Sequence, residues 1–333
     1  MLIGRLGGSA YVGLPGYPVS ALTIFRTFVA PAIGRAAGLP DPETATVEGR
    51  MAVRERYGEG RMRLMPVGLI EGENGDGAEP LVYPVDRGSG ATTTLAAADG
   101  VVDMAAETRR LTAGSEVSVE LFSPDAGAPA LLGVGESDPV ATRLLEAVER
   151  SRFLADGSRA GRRWLRDDVA DVAVVTDDAA ESGDVDLPGA ELATWTREWG
   201  VVLGPDVEGT EGDPLAFLAD GDHQVATVNR DLGLRAAVDR AATDAGLEPA
   251  TLGGIETAGI ESPARRVEDG RADVGVALRA TADRLGLRFL PVDAQRVVLA
   301  GNEDRLGKPG VETLGERTGD LAVVLADLPG YES

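Results

Sequence analysis

The chain has no cysteine and a single histidine, His223, in 333 residues. Disulfides, thiolate metal centres, cysteine nucleophiles and multi-histidine metal sites are therefore excluded. Lysine is almost missing too. Lys308 is the only one among 32 basic residues, which face 55 acidic residues for a formal net charge of -23. Phosphate contacts need clustered Lys and Arg, so this balance argues against nucleic acid as a partner. No run approaches the roughly 20 apolar residues that span a bilayer, and Met1-Leu2-Ile3-Gly4-Arg5-Leu6 lacks the apolar core of a signal peptide. No membrane partner is expected, and the expected compartment is the cytoplasm. Aromatic residues make up only 4 %. Trp164, Trp195 and Trp199 read as packing residues rather than a stacking platform.

The acidity is dispersed, as in Asp167-Asp168, Asp177-Asp178 and Glu268-Asp269. Dispersed charge reads as a solvated coat suited to high salt, where the Debye length falls to about 3 Å and self-repulsion fades. A halophilic source is the expectation. Asp167, Asp168 and Asp171 read the same way, as solvated helix-end charge and not as a cation site. His223 follows Asp220-Gly221-Asp222 and reads as an ordinary loop residue.

The length suggests two or three domains, and 43 % apolar residues can fill several cores. Residues 1 to 38 read as strand, elbow and helix, with Pro40-Asp41-Pro42 as a boundary. Residues 43 to 123 alternate apolar and polar positions in short, glycine-broken runs such as Met62 to Val67, Leu81 to Val85 and Glu116 to Leu121. That pattern predicts a small β-barrel or sandwich. After Asp125 to Pro129 the pattern becomes strand-helix-strand-helix. Strands are expected at Leu131 to Gly135, Val169 to Thr176, Gln224 to Val228, Val274 to Leu278, Leu287 to Pro291 and Gln295 to Ala300. A helix is expected from Pro139 to about Glu149, and another from Gly157.

The elbow is Gly13-Leu14-Pro15-Gly16-Tyr17-Pro18-Val19-Ser20. Glycines allow close backbone approach there, prolines stiffen the turn, and Ser20 falls near a helix start, where a hydroxyl and free N–H groups can hold an anion or simply cap the helix. Val12 to Ala21 resembles the signature that ends the catalytic domain of MoeA-type molybdopterin molybdotransferases. That family usually has asparagine at the position of Tyr17. Arg87-Gly88-Ser89-Gly90, Leu95 to Val102 and Leu111 to Val117 resemble the same family's C-terminal β domain. The resemblance implies that Gly16, Pro18 and Ser20 line a molybdopterin or molybdate pocket. It also implies magnesium and molybdopterin/molybdate as cofactors of the full-length family, held upstream, with none in this chain. Only twelve residues precede Gly13, so this chain is expected to be the back part of a larger enzyme and to lack transferase activity alone. Its expected homodimer contact lies in the catalytic domain.

Residues 128 to 333 resemble a periplasmic-binding-protein-like domain of the LysR substrate-binding type, fused to MoeA-type enzymes in haloarchaea. The matching stretches are Gly157-Ser158 with Gly161, Thr196 to Val202, Val228-Asn229-Arg230, Val267 to Gly275, Leu290 to Val292 and Leu328 to Tyr331. In that family a glycine-serine-glycine-threonine-arginine turn follows the asparagine-arginine pair, where this chain has Asp231-Leu232-Gly233-Leu234-Arg235. Glu261-Ser262 likewise replaces a serine-histidine. The resemblance implies a two-lobed cleft with Ser158, Asn229 and Arg230 at a small-anion ligand.

The expected architecture is thus multidomain α/β plus β. Residues 1–40 form the end of an α/β catalytic domain, 41–124 a β-barrel-like domain, and 128–333 a two-lobed type II binding-protein-like domain. The first lobe is expected over about 128–215 and 292–333, the second over about 216–291. The expected function is molybdenum cofactor biosynthesis, with a molybdate, tungstate or organic-anion sensor module as the alternative.

Overall fold

The computed structural model describes residues 2–16, 18–40, 45–72, 79–85, 98–124, 126–176, 189–208, 213–219 and 221–333. They fall into two units, Met1–Pro129 and Ala130–Ser333.

The first unit opens with a hairpin, β1 (Leu2–Leu6) paired antiparallel with β2 (Ser9–Gly13) around Gly7-Gly8. The glycine pair folds the expected single strand back on itself. α1 (Pro18–Ile24) continues through a π-helical turn, Phe25–Val29, into α2 (Ala30–Ala36). Much of this segment's apolar surface faces outward. Leu22, Phe25, Phe28 and Ile33 are all exposed, as are Ile3, Leu6 and Tyr11.

The rest of the first unit is a closed five-strand barrel. It is built from β3 (Thr46–Met51), β5 (Arg63–Ile70), β6 (Leu81–Pro84), β7 (Gly100–Met104) and β9 (Glu116–Leu121) in the order β3-β6-β5-β7-β9. A short ladder, β4 (Glu55–Arg56) with β8 (Arg110–Leu111), stands beside it. Strand alternation sorts the side chains. On β9, Val117 and Val119 point inward while Glu116, Ser118 and Glu120 face solvent. So small a barrel has no lumen. Met51, Met65, Met104, Leu69 and Val102 fill it.

The second unit is a nine-stranded mixed sheet flanked by helices. β10 (Leu131–Gly135), β11 (Ser151–Leu154) and β12 (Val172–Thr176) run parallel at one end. β14 (Val225–Val228), β15 (Ile255–Thr257) and β16 (Val274–Leu278) run parallel at the other. Between them lie β13 (Ala190–Leu203) and β17 (Arg288–Gly301), antiparallel to each other along nearly their whole length. β18 (Tyr331–Glu332) adds to β13. The helices are α3 (Pro139–Leu145), α4 (Gly157–Arg166), α5 (Ala216–Ala219), α6 (Gly233–Asp244), α7 (Ser262–Glu268), α8 (Arg279–Leu285), α9 (Pro309–Arg317) and α10 (Leu321–Ala326). β10 and β12 are buried along their full length, as parallel strands covered on both faces require.

Two cores result. Leu131, Val140, Leu144, Val174, Leu299 and Leu314 pack around Trp195. Val201, Val228, Leu234, Val238 and Val276 pack around Trp199. The two tryptophans lie four residues apart on β13, so this strand and β17 carry the chain from one lobe to the other. The expected pair of strands around Pro291 is one strand, β17. Its register against β13 shifts between Trp199 and Gly200, where Pro291 sits. A bulge is where a sheet tolerates a proline, which has no N–H for the ladder.

One expectation fails outright. Asp171 is fully buried instead of solvated. Its carboxylate accepts hydrogen bonds from the Leu132 N–H (2.8 Å) and Lys308 Nζ (2.9 Å), and it pairs with Arg305 Nη1 at 3.3 Å. The only lysine of the chain is spent inside, on this contact.

Candidate functional site

β10 ends at Gly135, and the next residues, Glu136-Ser137-Asp138, turn into α3. Asp138 is the N-cap of α3 and accepts the Val140 N–H at 2.9 Å. Glu136 is fully buried. Its Oε1 accepts three hydrogen bonds: from the Ser158 N–H (2.8 Å), from Ser158 Oγ (2.8 Å) and from the Gly233 N–H (2.7 Å). Ser158 stands at the start of α4 in the first lobe, and Gly233 opens α6 in the second. One carboxylate oxygen therefore ties two helix N-termini, one from each lobe. Unsatisfied N–H groups and the helix dipole make such ends natural anion partners.

Arg197 supplies the cation. It lies on β13 between the two tryptophans and is fully buried. Nη2 meets Glu136 Oε2 at 3.3 Å and Nη1 meets Asp138 Oδ2 at 3.1 Å. Nε and Nη2 both donate to Gln295 Oε1, at 3.1 and 2.8 Å, from the paired position on β17. Gln295 Nε2 in turn donates to the Gly233 carbonyl at 2.9 Å. Burial works to lower the Arg197 pKa, but Asp138 and Glu136 outweigh it, and the guanidinium is held more firmly protonated than usual. Two carboxylates against one guanidinium leave an excess negative charge, which the N–H groups of Ser158, Gly233 and Val140 offset.

Backbone fit allows this closeness. A Cβ on Gly233 would lie 1.8 Å from Thr176 Oγ1, and one on Gly157, whose φ is +81°, would lie 2.1 Å from the Asp231 carbonyl oxygen. Only glycine lets the lobes approach here. Ser158 Oγ also lies 3.0 Å from Thr176 Oγ1 and accepts the Thr176 N–H at 2.9 Å.

Tyr331, from β18, donates its hydroxyl to Asp138 Oδ2 at 3.2 Å. Burial first, and then the Asp138 charge, push its pKa well above the ordinary 10.0. The folded state thus keeps the phenolic proton at pH values where the unfolded chain has lost it. Stability is expected to fall as pH rises past about 10. Tyr331→Phe should flatten that alkaline slope while costing about 1.5 kcal/mol at pH 7 for the lost bond to a charged group. Urea midpoints measured from pH 7 to 11 check both, and parallel slopes for the two proteins would contradict the assignment.

The sequence-derived residues are placed as follows. Ser158 is at the centre of the buried network. Asn229 builds the turn after β14, where its side chain accepts the Asp231 N–H at 3.3 Å and its backbone N–H reaches the Thr257 carbonyl at 2.9 Å. Arg230 is exposed. Neither contacts Glu136 or Arg197 directly. In the first unit, Gly16 is exposed at the elbow with open space around it, Pro18 begins α1, and Ser20 lies half-buried in the first turn of α1. Tyr17, Arg87 to Gly90 and Asp177-Asp178 lie outside the described residues. His223 packs edge-on against Phe217 at 6.1 Å. Among the described residues, no three His, Asp or Glu side chains are grouped to hold a metal ion. No helix among them is long and apolar enough to cross a membrane.

Glu136, Arg197 and Gln295 escaped the sequence reading. Two signals were available. Glu136 and Asp138 directly follow a buried strand, at the carboxyl end where α/β sheets place ligands. Arg197 shares a strand face with Trp195 and Trp199, since side chains alternate with a period of two.

Two family models match the chain. The family model of the PBP superfamily domain matches residues 150–318, just over half of the chain, and the chain belongs to that family. The MoeA C-terminal region (domain IV) model matches residues 48–122, the stretch that carries the barrel. Molybdopterin molybdenumtransferase 2 of Mycobacterium tuberculosis is 52 % identical over 40 residues, 12 % of this chain and 10 % of the relative. The chain thus matches about a tenth of that relative's length. Among solved structures, a molybdopterin biosynthesis moea protein from Pyrococcus horikosii is 36 % identical over 36 % of this chain and 28 % of its own, with a TM-score of 0.30. An ABC-type phosphate transport receptor from Vibrio cholerae is 15 % identical over 58 % of this chain and 97 % of its own, with a TM-score of 0.41.

Proposed function

We propose that this chain serves molybdenum cofactor biosynthesis. On this reading it contributes the MoeA-type C-terminal β domain, to which a binding-protein-derived domain is attached. The observation that carries the reading is the match of the MoeA C-terminal region over 48–122, coincident with a closed five-strand barrel. The 40-residue likeness to a molybdopterin molybdenumtransferase supports it. The absence of a membrane-crossing helix among the described residues is compatible with a cytoplasmic setting. The elbow residues Gly16, Pro18 and Ser20 form the wall this reading assigns to molybdopterin or molybdate, through backbone N–H groups at the start of α1 and the Ser20 hydroxyl.

The second domain adds a binding-protein fold whose lobe-junction donors are engaged by Glu136. Its donor set at the lobe junction, two helix N-termini, a serine hydroxyl and a buried guanidinium, suits an oxyanion. Disruption of the gene in its host tests the reading. Cellular molybdenum cofactor and the activity of molybdenum-dependent enzymes should fall to background and return with the reintroduced gene. Unchanged cofactor content in the disrupted strain would sink it.

A further inference from the structure

We infer that Glu136 is the internal ligand of the binding-protein-like domain. Its side-chain carboxylate fills the oxyanion position between the lobes and latches them shut. The inference rests on the geometry of the second unit alone and stands or falls apart from the molybdenum reading.

Three observations converge on it. First, the contacts are those of a bound oxyanion. Glu136 Oε1 takes the Ser158 N–H, the Ser158 hydroxyl and the Gly233 N–H within 2.7–2.8 Å, and Oε2 faces the Arg197 guanidinium. Arginine and helix N-terminal N–H groups are how proteins hold carboxylates and tetrahedral oxyanions alike. Second, these donors come from both lobes and from the strand between them. The carboxylate therefore joins α4 to α6 across the junction, and it does so from a residue of the chain itself. Third, no room is left. Glu136, Ser158, Arg197 and Gln295 are all at or below 3 % exposure. A side chain as small as alanine at position 233 would already collide with Thr176.

The open space nearby does not offer an alternative anion site. A groove of about 600 Å³ beside Asp138 lies at the same junction, but Asp138, Glu146, Glu261, Asp283 and Asp327 line it against Arg143 and Arg284. Its charge repels anions. Unlike this groove, the donor set that Glu136 occupies is suited to an anion.

The consequence is a direct competition. A free oxyanion binds this position only where the Glu136 carboxylate is absent or swung out. Removing the carboxylate should convert a self-closed domain into an oxyanion receptor. The pocket it leaves is framed by Ser158, Thr176, Gly233 and Arg197, and suits sulfate, phosphate or molybdate.

The test compares the full-length chain with its Glu136→Ala variant at matched ionic strength, in chloride and with sulfate, phosphate or molybdate added. Tryptophan emission follows unfolding of the second unit, and small-angle scattering follows lobe opening. Wild type is expected to melt at the same temperature in all four salts. Glu136→Ala should melt lower and scatter as a more open particle in chloride. An oxyanion at about a hundredfold excess over its Kd should then raise its melting temperature by about 5 °C or more and restore the closed scattering profile. The double variant Glu136→Ala/Arg197→Met should lose that response. Should Glu136→Ala fail to fold in chloride, its refolding yield against oxyanion concentration replaces the melting readout. Wild type responding as strongly as Glu136→Ala would overturn the latch. So would a Glu136→Ala protein that ignores every oxyanion, in melting or in refolding.

Discussion

Arg197→Met is expected to lower the melting temperature of the second unit by about 10 °C. The guanidinium is the only cation touching Glu136 and Asp138 among the described residues, and all three side chains are fully buried. Truncating it leaves two carboxylates in a dry interior. Breaking a buried pair from one side costs about 3–5 kcal/mol, because the surviving charge has no partner. In a domain of this size each kcal/mol moves the midpoint by about 2–4 °C. The readout is selective, since Trp164, Trp195 and Trp199 all lie in the second unit. A surface pair provides the contrast. Arg296 meets Glu191 at 2.8 Å, but the side chains are 41 % and 45 % exposed. Arg296→Ala should therefore cost at most about 1 kcal/mol and should matter less still in concentrated salt. Equal effects from the two arginine substitutions would show that the Arg197 network is hydrated.

Asp171→Ala is expected to be as damaging, with the charges reversed. Lys308 and Arg305 would remain buried without the carboxylate that both contact. The loss is again about 3–5 kcal/mol. It should be accompanied by loosening of residues 302–308, because the Asn302 N–H is held by the Asp171 carbonyl and Arg305 Nη1 also donates to the Val169 carbonyl. Hydrogen exchange across 302–308 would rise in the variant while exchange in the barrel of the first unit stays unchanged. Normal protection in 302–308 would remove Asp171 from its anchoring role.

Much of the fold was readable in the residues themselves. β10 and β16 were visible as continuous apolar runs bounded by Gly, Asp or Arg, because strands buried on both faces need no alternation. The barrel strands showed the opposite signature, alternation with period two, as β9 does in Glu116-Val117-Ser118-Val119. The long strands were only half legible. Pro291 broke the pattern of β17, and nothing local reveals that a bulge in β17 itself accommodates it. The helix at Pro139 was placed at its true start by Asp138 but extended too far, since Val148 continues the apolar spacing after the helix has ended at Leu145.

The site was less legible than the fold, for a physical reason. Ser158 was found because a glycine-serine pair at a helix start has local meaning. Glu136 and Arg197 acquire theirs from each other, across 61 positions of sequence. An acidic residue among 55 others carries no local signal that it will be buried. The same limit explains Asp171, which is one carboxylate of an acidic stretch until the fold brings Lys308 to it.

The two long strands have a consequence for synthesis. β12 and β13 both complete their pairing against β17, with Val172 and Ala190 each facing Gly301, and Leu203 facing Arg288. At about 5–20 residues per second, the ribosome needs on the order of 5–20 s to deliver the missing strand after β12 and β13 have emerged. During that interval β12, apolar but for Thr176, has an open edge, the kind of strand that pairs with the wrong neighbour. The first lobe to be made is therefore the last to be finished.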